Sequence, residues 1–229
     1  MDTNKPTISF NVYRTTDLIT FTFIACVLEY LNVFVFKNFF TSELYTLSIM
    51  LPITLIVMQR WNGYALVPAI LTGLVYCIAN KAENPATYIT YIAGNCFIMI
   101  NLVWQKAVGK KKLEKSILCQ ILYTVTGYIL MSVGRAGIAA IFEGSFFANL
   151  KTFLIADEIS GVIGIIIVIV AARQKDLFKD QKEYLKEQAE GNTKNIPEHD
   201  KISRYTADNN FIEEEDIDEG RTDDETYTG

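Results

Sequence analysis

From Leu18 to Arg173 the chain alternates long apolar stretches with short polar interruptions, and nearly every charge falls in an interruption. Six stretches stand out: Leu18 to Phe36, Leu44 to Met58, Gly63 to Ala79, Ala86 to Trp104, Ser116 to Phe142 and Thr152 to Ala172. A helix needs about 20 residues to cross a hydrocarbon core about 30 Å thick, and five of the six are 17 residues or longer. A bilayer offers no water to unpaired backbone groups, so a spanning segment is a helix or a strand of a closed barrel. Barrel strands would be about 10 residues with strict alternation. These runs are longer and uniformly apolar, which predicts an all-α integral membrane protein, a six-helix transmembrane bundle. Even the β-branched run Ile165 to Val170 reads as helix, because it lies inside a longer apolar stretch.

The pattern divides the chain into a polar N-terminal segment (1–17), the bundle (18–172), a helical cytosolic extension (173–190) and a tail (191–229). Leu177, Phe178, Tyr184 and Leu185 recur one heptad apart along the extension, among opposite charges at helical spacing. The tail, with the acidic run Glu213 to Glu219, predicts disorder. The net charge of −5 belongs to the polar end. From Arg173 onward there are 9 Lys/Arg against 17 Asp/Glu, and the rest of the chain is slightly basic.

The positive charges also set an orientation. Lys106, Lys110, Lys111, Lys112 and Lys115 fill one loop, and Arg173, Lys175 and Lys179 follow the last stretch. Both clusters belong on the cytoplasmic side, two helices apart. With six crossings both termini are cytoplasmic, and only Lys37, Lys81 and Lys151 lie outside. The first apolar run has no cleavage site after it and predicts an uncleaved insertion signal. The residues Gln59 to Asn62 predict a tight hairpin, with Trp61 at the interface and Arg60 reaching toward water. Pro52 and Pro68 predict kinks.

Small residues at four-residue spacing, Ala69, Gly73 and Cys77, then Ala156, Ser160 and Gly164, predict close-packing stripes, within the bundle or against a partner. Cys26, Cys77, Cys96 and Cys119 all lie in apolar stretches and read as core residues.

Four ionisable residues sit where hydrocarbon is expected: Glu29, Arg135, Asp157 and Glu158. Each costs about 2.5 to 3.5 kcal/mol at a helix centre, so such residues face a protein interior or a wet cavity. On the predicted topology they lie at or outside the midplane, with Asn95, Tyr91, Tyr88 and Tyr76, which predicts an outward-opening polar pocket. Asp157 and Glu158 project about 100° apart. One therefore pairs with Arg135 while the other faces water or ligand. A structural ion pair, a ligand pocket and a proton or ion path all fit that set. His199, the only histidine, lies in the tail, and no nucleotide-binding or paired-acid motif occurs. No enzymatic activity, metal, cofactor or nucleic-acid partner is expected.

The entry into the first helix, Asp17-Leu18-Ile19-Thr20 through Phe23-Ile24-Ala25-Cys26, and the segment Leu51 to Gly63 running on to Gly73 carry a resemblance. Over about residues 15 to 172 the chain resembles the substrate-binding S components of energy-coupling factor (ECF) vitamin transporters. The resemblance implies capture of a vitamin or other small-molecule ligand at a prokaryotic plasma membrane. It also implies docking on a transmembrane coupling protein driven by ATPase subunits. Two other classes remain: a membrane adaptor working through its cytosolic tail, and a small proton-coupled carrier.

Overall fold

A computed structural model of the chain describes residues 10–39, 47–174, 177–179 and 181, and every element among them is helical. The elements are α1 (Phe10–Phe39), α2 (Met50–Trp61), α3 (Leu66–Ala79), α4 (Pro85–Asn95), α5 (Asn101–Val108), α6 (Lys110–Lys115), α7 (Ile117–Glu143), α8 (Phe146–Ala156) and α9 (Glu158–Arg173). Short 3₁₀ turns, Asn62–Ala65 and Cys96–Ile100, join α2 to α3 and α4 to α5. By length and composition four helical stretches are apolar enough to cross a membrane, Asn11–Asn38, Met50–Ala79, Pro85–Val108 and Ile117–Glu143, the second of them a hairpin of two shorter helices. The pair α8 and α9, bent by 53° between them, passes the same test only when taken together, as a broken span or a re-entrant loop. Large apolar side chains point outward along this bundle, among them Phe23, Val103, Ile141 and Phe147. So much exposed apolar surface is that of a protein embedded in a membrane.

The stretch from Met50 to Ala79 doubles back on itself. Arg60 grips Asp17 near the start of α1, while Lys37, about 30 Å further along that helix, donates to the carbonyl of Asn80 at 2.9 Å. Ile49, before α2, donates to Glu29, about 18 Å from Asp17 along α1. Residues 49 and 80 therefore lie on the same side of residue 60, and α2 and α3 are antiparallel. The reversal falls at Asn62, whose φ of 51° and ψ of −120° leave the helical region.

Pro52 and Pro68 kink nothing. Each occupies the first turn of its helix, where a missing N–H leaves no intrahelical bond unmade. Arg60 also departs from the expectation of reaching water. It is buried, with Nε and Nη2 donating to the two carboxylate oxygens of Asp17 at 2.8 and 2.9 Å and Nη1 donating to the carbonyl of Leu177 at 3.0 Å. The Trp61 indole donates to the same carboxylate at 2.5 Å.

The helix after the last apolar stretch is likewise interrupted. Gln174 is extended, so α9 ends at Arg173, and Phe178 is buried. The Leu177 carbonyl accepts from Arg60 rather than from an amide one turn along a continued helix. The remainder of the predicted extension and the acidic tail lie outside the described residues.

Both small-residue stripes pack inside the bundle. Ala69, Gly73 and Cys77 face α4, where the Ala69 carbonyl accepts from Asn95 and Gly73 leaves no room for a side chain against Tyr91. Ser160 and Gly164 face the start of α2, Ser160 against Ser48 and Gly164 against Leu51 and Pro52.

Candidate functional site

One group of buried polar residues, Glu29, Asn95, Arg135, Asp157 and Ser160 among them, forms a layer across the bundle. Arg135 lies 8 residues before the end of α7, Glu29 lies 8 residues before Lys37 in α1, and Asn95 ends α4, which starts at Pro85. At 1.5 Å per residue these positions lie about 12 to 15 Å below the bundle end that carries the α3–α4 and α7–α8 turns. The lysine-rich segment α6 lies at the opposite end.

Arg135 is the centre of one half of the layer. Its guanidinium forms an ion pair with Asp157, its Nε donates to Asn95 Oδ1 at 2.7 Å, and it lies 4.7 Å from the ring centroid of Tyr91. Asn95 passes the network on by donating to the Ala69 carbonyl at 3.3 Å. Tyr91 stacks on Tyr76 with centroids 4.4 Å apart, and its hydroxyl reaches the Tyr76 hydroxyl at 3.4 Å. Both charges of the pair are nearly inaccessible, with side-chain exposures of 3% and 4%. Burying such a pair requires further hydrogen bonds to offset the desolvation, and the one from Nε to Asn95 is among them.

The close approach of α4 and α7 makes this possible. A Cβ on Gly94 would lie 2.7 Å from Arg135 Cα, and one on Gly134 would lie 2.5 Å from the Gly94 carbonyl oxygen. Two glycines let the backbones touch where the arginine leaves α7. Asp157 reaches it because α8 ends there. The residue has φ −96° and ψ 8° between the two helices, so its carboxylate is not confined to the direction a continuous helix would impose.

The other half of the layer is built around Glu29. Its Oε2 accepts from the Ser48 hydroxyl at 3.0 Å and from the Ile49 backbone N–H at 3.1 Å, while the Ser48 N–H donates to Ser160 Oγ at 2.8 Å. Met50 N–H reaches Ser48 Oγ at 3.3 Å. The first N–H groups of a helix have no intrahelical acceptors, and in a membrane no water replaces them. Glu29 and Ser48 supply acceptors to two of them, Ile49 and Met50, Ser160 accepts from Ser48 just before the helix, and the carboxylate also lies at the positive end of the α2 dipole.

Of the residues singled out from sequence, Arg135, Asp157, Asn95, Tyr91 and Tyr76 form one connected group, and Glu29 lies in the same layer with its own partners. Glu158 is exposed on the first turn of α9, outside the network. Tyr88 is half-buried on α4, and its side chain joins none of these hydrogen bonds among the described residues. Ser48, Ser160, Gly94 and Gly134 were not legible as site residues. Ser160 was visible only as part of a small-residue stripe, and nothing local distinguishes Gly94 or Gly134 from any other helical glycine. Ser132, also unforeseen, is fully buried one turn before Arg135 with an unpartnered hydroxyl. Among the described residues no group of His, Cys, Asp and Glu is placed to hold a metal.

Compared with protein-family models, with curated proteins and with solved structures, the chain matches none.

Proposed function

We propose that this chain captures a small polar solute within the membrane, as the substrate-binding S component of an ECF-type transporter. One observation carries the reading: non-helical backbone lies at the level of the buried charges in two places. The helix α2 begins there, and α8 gives way to α9 there. Non-helical backbone at membrane depth is tolerated where protein buries it or where it lines a cavity. Interrupted helices near the midplane are a recurring way to build solute sites in transporters. Arg135, Asp157, Asn95, Tyr91 and Tyr76 are the proposed lining, with Glu29 at its edge. The chain crosses six times, α2 forming a partial pass, and both termini are cytoplasmic in a prokaryotic plasma membrane.

The same interruption favours a second reading, a small secondary carrier that moves its solute without ATPase subunits. The two separate in one experiment. Solute retained through mild extraction is identified by mass spectrometry, and its uptake is then followed in proteoliposomes. Uptake that requires a coupling protein with ATPase subunits supports the first reading, and uptake by this chain alone supports the second. A chain that neither retains nor moves any solute overturns both.

Orientation is tested by placing single cysteines in a background lacking the four native ones. Lys112→Cys is expected to react with an impermeant maleimide only after cells are permeabilised, and Glu83→Cys in intact cells. The reverse pattern would put the polar layer nearer the cytoplasm and overturn capture from outside.

A further inference from the structure

The lysine-rich segment is held more firmly than the orientation of a membrane protein requires. Two buried glutamines hold its backbone, and a third holds one of the two. Gln59 donates to the carbonyl of Lys110 at 3.2 Å, and Gln120 donates to the carbonyls of Leu113 and Glu114 at 3.0 and 2.9 Å. Gln105 donates to Gln59 Oε1 at 2.6 Å and keeps that side chain in place. Leu113 is fully buried beneath the segment, while Lys112 and Lys115 are exposed, as is Lys106 at the end of α5. The positive-inside bias needs only charge near the helix ends. Here the charges stand on a fixed platform.

An apolar groove of about 470 Å³ rises from that platform along the outer face of α5 and α7. Its walls include Ile100, Val103, Trp104, Ala107, Ile129 and Leu130. From Ile100 to Ala107 it runs about 10 Å along the bundle axis, a third of the hydrocarbon thickness. Its lower end, at Ala107, adjoins Lys106 and lies one turn from α6. Trp104 stands in the wall there, an amphipathic ring of the kind found at headgroup level.

The geometry points to a site for one anionic phospholipid, its acyl chain in the α5–α7 groove and its phosphate on Lys106, Lys112 and Lys115. Charge complementarity selects the occupant. An apolar groove alone would take any lipid tail, but a tail leaving it at Ala107 carries its headgroup onto lysines, with Glu114 the single acid of the segment. Basic residues at the cytoplasmic ends of transmembrane helices bind anionic headgroups in this way. The inference requires that the protein resides in a bilayer and is independent of what it transports.

Native mass spectrometry of the full chain in detergent tests it, with phosphatidylglycerol, phosphatidylcholine of the same chain length, and glycerol phosphate as probes. Wild type is expected to retain phosphatidylglycerol about tenfold or more over phosphatidylcholine, and not to bind glycerol phosphate. Lys106→Gln/Lys112→Gln/Lys115→Gln should abolish the preference without altering the fold, since all three side chains are exposed. Ala107→Phe should fill the groove and lower retention of both lipids. Equal retention of the two lipids by wild type overturns the site, as does a preference surviving in the triple variant. Binding of the tailless phosphate would show a phosphate site rather than a lipid site, and unchanged retention in Ala107→Phe would remove the groove.

Discussion

Arg135→Ala is expected to lower the stability of the purified protein by about 3 to 5 kcal/mol, read as thermal or denaturant unfolding in detergent. The loss comes less from the missing attraction than from what remains. Asp157 would keep a charge in a nearly inaccessible position, and Asn95 Oδ1 would lose its donor. Asp157→Ala should cost a similar amount by stranding the guanidinium. Replacing both with apolar residues, Arg135→Met/Asp157→Leu, should recover most of the loss, leaving about 1 kcal/mol for the unpaired Asn95 oxygen. A double variant no more stable than the worse single one would mean that the charges act separately. The recovered protein also tests the proposed lining. If it retains the copurifying solute with near-native affinity, the pair is scaffold and the solute binds elsewhere.

Gly134→Ala should destabilise by about 3 kcal/mol, the upper end of the usual cost of overpacking. The new methyl would fall 2.5 Å from both the Gly94 carbonyl oxygen and Phe97 Cβ, so α4 and α7 must separate. Separation also draws Arg135, the next residue, away from Asn95, so solute retention should fall with stability. Gly137, less than one turn further along α7, is the control. A Cβ there meets nothing within 4 Å, and Gly137→Ala should be neutral or gain about 0.5 to 1 kcal/mol from helix propensity. Equal responses at the two positions would contradict the backbone contact between α4 and α7.

The contrast between these glycines shows where sequence reading stops. Both lie in one apolar helix, three residues apart, and nothing local separates them. Only the neighbour of each decides whether a methyl group is tolerated. The small-residue stripes behave the same way. Their spacing promised a close contact, but the contact needed a partner, and only the fold identified α4 for Gly73 and α2 for Ser160 and Gly164.

The burial of Arg60 escapes a local reading for a related reason. Beside a predicted turn, a lone arginine is free to reach water. Asp17, its partner, lies 43 residues earlier in the chain, at a distance no local pattern spans.

The amino-acid order alone determined that this is a helical membrane protein, because apolar length and the need to satisfy backbone groups without water leave few alternatives. It also determined which residues are costly in hydrocarbon, since Glu29, Arg135, Asp157 and Glu158 announce themselves by charge. It left open which acid holds Arg135. Asp157 and Glu158 are adjacent, and on an uninterrupted helix they are distinguished only by a rotation of about 100°. The break between α8 and α9 made the choice, turning Asp157 inward to the guanidinium and leaving Glu158 exposed. A helix end of this kind forms where the energy of a buried contact exceeds that of one more helical turn, and that balance exists only once α7 and α4 have packed.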